Sequence, residues 1–157
     1  QETYYYPDGK KQIQGMRVNG DRDGGWMYSN TDGSVQVQVL YAQGKYVKEK
    51  RENGTFKDYY DDEQLQTEVT YKNGLREGPF TEWYDNGTWT ETPVELGPEG
   101  EQKQDEQREL KGQTKKREGS YKHDMLDGTV KEYDDTGKLL SSLEYMDGAP
   151  ATGGNKP

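Results

Sequence analysis

The sequence predicts an all-β protein, an elongated single-layer antiparallel meander of about six stacked β-hairpins that repeat every 24 residues. Three observations carry this reading. Turn dipeptides recur at fixed spacing, the arms between them alternate in polarity, and the chain is too poor in aliphatic residues for a two-layered core. Leu, Ile, Val and Phe together number 20 of 157 residues, a smaller share than the roughly 20% below which a charged chain is suspected of disorder. Thirteen tyrosines and three tryptophans oppose that suspicion, since disordered chains are poor in aromatics. A thin, aromatic-studded, turn-rich sheet satisfies both facts.

The repeat is read from its turns. Twenty-four residues beyond Asp8-Gly9 lies Asp32-Gly33, and six extra residues delay the next landing to Asp62-Glu63. Asn86-Gly87 follows, then Gly112-Gln113 after a step of 26, then Thr136-Gly137. A second turn stands 11 residues after five of the six anchors, at Asn19-Gly20, Gln43-Gly44, Asn73-Gly74, His123-Asp124 and Asp147-Gly148. Gly24, Gly54, Gly78 and Gly128 each precede an anchor by nine. Asn-Gly and Asp-Gly accept positive φ and close tight hairpins.

The arms have strand length and period two. Val35, Val37, Val39 and Tyr41 share one face, as do Leu65, Thr67, Val69 and Tyr71, and again Leu139, Ser141, Leu143 and Tyr145. In the other arm, Trp26, Phe56, Phe80 and Val130 stand seven before the anchor. Tyr5, Tyr59, Trp83 and Tyr133 stand four before it, and Tyr6, Tyr60 and Tyr84 three before it. Adjacent residues face opposite ways, so the last two rows occupy opposite faces. The odd offset between seven and four predicts a bulge in this arm. Gly97-Pro98-Glu99-Gly100 reads as a turn, and residues 97–112 as an irregular polar insertion where the fifth unit loses its alternation. Residues 149–157 read as a flexible tail.

The stretches "EGPFTEWYDNGTW", "YKNGLREG" and "DGTVKEYDDTGKLLSSLEYMDG" resemble the variant MORN repeat of bacteria. The resemblance covers roughly residues 4–148 and weakens in the fifth unit, and residues 1–148 are read as one repeat domain. It implies a sheet of stacked hairpins used for protein contacts, in a family with antitoxin-like and exported members. It implies no reaction, so no catalytic residue is carried over.

Composition narrows the function. A net charge of −9 argues against nucleic acid and anionic membranes, which demand a basic face. Cys is absent, so thiolate metal sites and disulfides are excluded. His123-Asp124 falls in a turn slot rather than a catalytic pair. Asp21-Arg22-Asp23-Gly24 lacks the later ligands of a calcium loop. The acids Asp61-Asp62-Glu63 and Asp134-Asp135 read as solvated turn residues, and no cofactor or metal is expected. Asn53-Gly54-Thr55 and Asn86-Gly87-Thr88 match glycosylation acceptors but also hairpin turns, the preferred reading. Lys115-Lys116-Arg117 reads as a solvated strand face.

Exposed Tyr and Trp are what interfaces use. The candidate partner-binding residues are therefore Tyr6, Tyr60, Tyr84 and Trp89. The expected function is a non-enzymatic, exported interaction scaffold or accessory subunit of a bacterial envelope or secretion assembly. Gln1 in the place of Met is a start that signal-peptide removal leaves, and the periplasm or extracellular space is the expected location. Two alternatives stand beside it. One is a cytoplasmic antitoxin whose acidity suits a basic toxin. The other is a glycan or cell-wall binding module, because "YYYPDGK" and "EWYDNGTW" are similar to the aromatic-DG hairpins of choline-binding repeats.

Overall fold

A computed structural model describes residues 1–92, 96–101 and 107–151. Among them there are fifteen strands and no helix. They are β1 (Glu2–Tyr5), β2 (Lys11–Val18), β3 (Asp21–Ser29), β4 (Val35–Ala42), β5 (Lys45–Arg51), β6 (Gly54–Tyr59), β7 (Leu65–Lys72) and β8 (Leu75–Trp83). The series continues with β9 (Thr88–Thr92), β10 (Gln107–Lys111), β11 (Lys115–Lys122), β12 (Met125–Leu126), β13 (Gly128–Tyr133), β14 (Leu139–Met146) and β15 (Ala149–Pro150). All pairings are antiparallel. β1 to β5 form one sheet in chain order, and β15-β14-β13-β11-β8-β7-β6 a second, with β12 beside β11. β9 and β10 pair only with each other.

Both turn types follow from the residues in them. The two-residue turns hold positive φ at both positions, as at Asn19 (53°) and Gly20 (85°), the geometry that matches strand twist. The three-residue loops place a left-handed residue before the next strand, which is Gly9 (88°), Gly33 (91°) and Gly137 (91°) but the non-glycine Glu63 (70°). Their acids have structural work. Asp32 Oδ1 accepts the Ser34 N–H at 2.9 Å, and Asp134 Oδ1 accepts Thr136 and Lys138 N–H at 2.9 Å each. A bulge is present in five hairpins, but not in the arm expected: the extra residue lies in the partner arm, at Gln12, Gln36, Gln66, Lys116 and Leu140, and the aromatic arm runs regularly past it.

Six hairpins are present, but one is out of line. The backbone bond that closes a regular loop joins Tyr6 to Lys10 and Tyr60 to Gln64 (both 2.8 Å). Its counterpart at Tyr84 goes to Thr114 (3.0 Å), and β8 pairs directly with β11. The step of 26 residues is therefore no repeat. It is an insertion in the loop of the β8/β11 hairpin, as the polar composition near 97–112 suggested, and within it residues 107–111 form the strand β10 paired with β9. The turn at 97–100 is as expected, with Gly100 N–H on the Gly97 carbonyl at 3.0 Å. The tail begins by pairing Ala149 and Pro150 with β14, and its expected flexibility beyond 151 lies outside the described residues.

One face of the sheet carries the core. Trp26 is fully buried opposite Val39, and Phe80 and Val130 are 2% and 3% exposed. With no second layer among the described residues, arginines cover the rings. Arg22 lies 4.9 Å from the Trp26 centroid, Arg51 5.0 Å from Phe56 and Arg117 5.3 Å from Phe80, each such contact contributing roughly 0.5–1 kcal/mol or more. Arg117 also pairs with Glu82 at 3.3 Å, so this member of the basic run sits on the core face, not in solvent.

The six residues that delay the third anchor break the sheet between β5 and β6. Asn53 bridges the break. Its Nδ2 donates to the Val35 carbonyl (2.8 Å), its Oδ1 accepts the Asn73 N–H (3.0 Å), and its carbonyl accepts Asn30 Nδ2 (3.0 Å). Arg51 adds a bidentate pair with Asp58 at 2.8 and 2.6 Å, which holds the Asp58 carboxyl below its ordinary pKa. The glycosylation-like Asn53 is thus a structural clamp.

Candidate binding surface

The tyrosines three residues before the anchor are struts between hairpins. Tyr6 donates its hydroxyl to the Ser29 carbonyl (2.6 Å), Tyr60 to the Trp83 carbonyl (2.5 Å) and Tyr84 to the Tyr133 carbonyl (2.6 Å). In each case the acceptor is the residue four before the anchor of the next stacked hairpin. All three rings are partly buried, and burial pushes the Tyr60 phenol up. Trp89 donates its indole N–H to the Asp62 carbonyl (2.9 Å) beneath the guanidinium of Arg108, 4.4 Å from its ring. Arg108 in turn pairs with Glu63. These four expected contact residues therefore have their polar atoms committed inside the chain. Gln64, 3% exposed, completes the lock on the insertion, since its amide accepts the Gly87 N–H (2.7 Å) and donates to the Gly87 carbonyl (3.0 Å).

The row one residue earlier is differently placed. Asp58, Glu82 and Glu132 lie on the core face, where they pair with Thr67, Thr67 again, and Arg117. Tyr59, Trp83 and Tyr133 follow them directly and so point to the opposite face. Tyr59 is 56% exposed and Tyr5 58%, and Trp83 and Tyr133 are partly exposed. Tyr133 donates its hydroxyl to Glu118 at 2.7 Å, whereas the Trp83 indole N–H has no partner among the described residues. Glu68, Thr81, Glu118 and Lys131 continue this face as paired polar residues.

Neighbouring loops crowd negative charge along the same edge. The neighbouring carboxyls of Asp62 and Asp85 act on each other so that the first lies below and the second above its ordinary value, and Asp61, Glu63 and Asp135 lie exposed nearby. No group of three or more His, Asp or Glu able to hold a metal occurs among the described residues. A cleft of about 550 Å³ opens at the sheet break between Tyr46, Arg51, Asp58 and Tyr71.

His123 occupies the turn slot, with φ 49°. Asp124 beside it turns away to Arg76, at 2.6 Å, so the two form no acid–base pair. His123→Asn should leave the melting temperature within a few degrees of the parent or raise it slightly, because Asn accepts a left-handed φ more readily. A large drop in a thermal melt would overturn the turn reading.

The stacked hairpins define a β-hairpin repeat protein with no second layer among the described residues. Within that class two of the hairpins match a known repeat, the MORN repeat variant, at residues 52–73 and 126–147. The matched segments are the hairpins β6/β7 and β13/β14, each an uninterrupted strand–loop–strand unit. The hairpins β1/β2, β3/β4 and β8/β11 share their bulge and loop-closing bond. No curated protein matches the chain, and no solved structure does. MORN repeats are generally protein- or membrane-binding repeats.

Proposed function

We propose that the chain is a non-enzymatic scaffold, an accessory subunit that holds another protein against the face opposite its core. The observation that carries this is the division among its aromatics. Trp26, Phe80, Tyr6, Tyr60 and Tyr84 serve the fold, while Tyr5 and Tyr59 stand more than half exposed, with hydroxyls unpartnered among the described residues. Exposed aromatic rings on a polar face are the mark of an interface. The proposal includes export and membership of a bacterial envelope or secretion assembly. The acidic loop edge supports a second reading, an antitoxin holding a basic toxin.

The test is cross-linking and affinity capture from the native source, with the Tyr5→Ala/Tyr59→Ala double variant as comparison. A partner captured by the parent and lost by the variant is expected, with the protein recovered from the periplasmic or extracellular fraction. Recovery from the cytosol bound to a basic toxin would replace the first reading by the second. Failure of the parent to capture any protein would sink both.

A further inference from the structure

The aromatic row of the larger sheet has a spacing of its own. Tyr59 on β6, Trp83 on β8 and Tyr133 on β13 are each separated by one intervening strand, β7 or β11. Strands lie roughly 4.8 Å apart, so the rings repeat at about 9.6 Å along a line crossing the strands. A polyproline II helix has three residues per turn and a rise of 3.1 Å, hence a repeat of about 9.3 Å, and exposes one ridge per turn. The two periods agree within a few tenths of an ångström over the two intervals available. We propose that this row binds a proline-rich segment in the polyproline II conformation, carrying Lys or Arg beside its prolines. The inference rests on the scaffold reading and names its partner's chemistry.

Two further observations select this occupant. Such a helix has no internal hydrogen bonds and leaves its carbonyls free as acceptors, and aromatic-lined grooves dock it because it is already ordered before binding. The Trp83 indole N–H, without a partner among the described residues, supplies the matching donor at the middle of the row. The charge also has a direction. Asp61, Asp62 and Asp85 stand two or three residues beyond Tyr59 and Trp83, and Asp134 and Asp135 directly follow Tyr133. Cations flanking the prolines would meet this edge, and anions would be repelled from it.

The experiment is isothermal titration of the full chain with a synthetic peptide of ten prolines bearing an arginine at each end. A Gly/Ser peptide of equal length and charge serves as control, and a β-1,4-linked N-acetylglucosamine hexamer as the rival ligand. The proline peptide should bind and the control should not. Tyr59→Ala should weaken binding about tenfold, and Trp83→Phe, which keeps a ring but removes the donor, by severalfold, with both variants giving parental melting curves. Equal affinity for the Gly/Ser control, indifference to Tyr59→Ala, or binding of the oligosaccharide in place of the peptide would overturn the proposal. If the peptide fails while Tyr59→Ala still abolishes protein capture, the scaffold reading stands and the proline assignment falls. If capture fails too, both fall.

Discussion

Replacing Gly15 by alanine should cost about 3 kcal/mol or more and lower the melting temperature by roughly 6–12 °C. A Cβ at this position would lie 2.2 Å from Cδ2 of Trp26 and 2.4 Å from Cε2, far inside contact distance. The ring has nowhere to retreat. Its Nε1 donates to the Met16 carbonyl at 3.0 Å, and Arg17 and Arg22 lie over it at 5.6 and 4.9 Å. The alanine must therefore open β2 from β3 or expel the one fully buried ring, and losing a buried Trp alone costs about 3–5 kcal/mol. Gly119→Ala gives the comparison. Its Cβ would meet Val130 Cγ2 at 2.9 Å and Phe80 Cε1 at 3.0 Å, side chains that can shift by a few tenths of an ångström, so the loss should be smaller. Urea denaturation of the two variants decides the matter, and a neutral Gly15→Ala would show that Trp26 is not held as described.

How much of this could be read from sequence depends on the range of the interactions. The turns were legible because φ is a local property, and Asn19-Gly20 or Asn73-Gly74 states its geometry in two residues. The bulge was legible only in part, because the aromatic offsets signal an irregularity near the loop but not that the extra residue lies in the partner arm. The insertion was legible only as irregular polar residues near 97–112; where it starts and that it forms a hairpin were not, because its length happens to imitate the repeat. Only the pairing of β8 with β11 and the Tyr84–Thr114 bond show that β9/β10 was added to an existing loop. The same limit applies to the candidate surface. Both tyrosine rows are periodic, and the period does not say which row is bound inside. A weak signal did exist. The struts at Tyr6, Tyr60 and Tyr84 are replaced in other units by Asn30 and Asp134, short side chains suited to hydrogen bonds rather than to ring contacts. Asn30 does reach forward, to the Asn53 carbonyl. Exposed contact rows have no reason to conserve hydrogen-bonding capacity in this way from unit to unit.

Tyr60 and Tyr84 changed together to alanine should destabilise the chain by about 4–6 kcal/mol, with any partner binding lost through unfolding. Each substitution removes a partly buried ring and leaves a backbone carbonyl of the next hairpin, at Trp83 or Tyr133, without its donor. Phenylalanine at both positions keeps the rings and removes only the hydroxyls, so it should cost about 2 kcal/mol in total. The two struts sit on successive hairpins and share the strand β8, and their effects should exceed the sum of the single changes if stacking is cooperative. Tyr59→Ala is the opposite case. Its ring is 56% exposed and its hydroxyl has no partner among the described residues, so stability should change by less than about 0.5 kcal/mol while binding weakens. Urea melts of the four proteins, run beside titrations with the proline peptide, separate the roles of adjacent residues. If the Tyr60/Tyr84 alanine variant melts like the parent yet loses the peptide, those hydroxyl bonds carry little weight and the contact row lies at Tyr60 and Tyr84. If it unfolds early and Tyr59→Ala alone loses the peptide from a stable fold, the struts hold the stack together and the row beside them meets the partner.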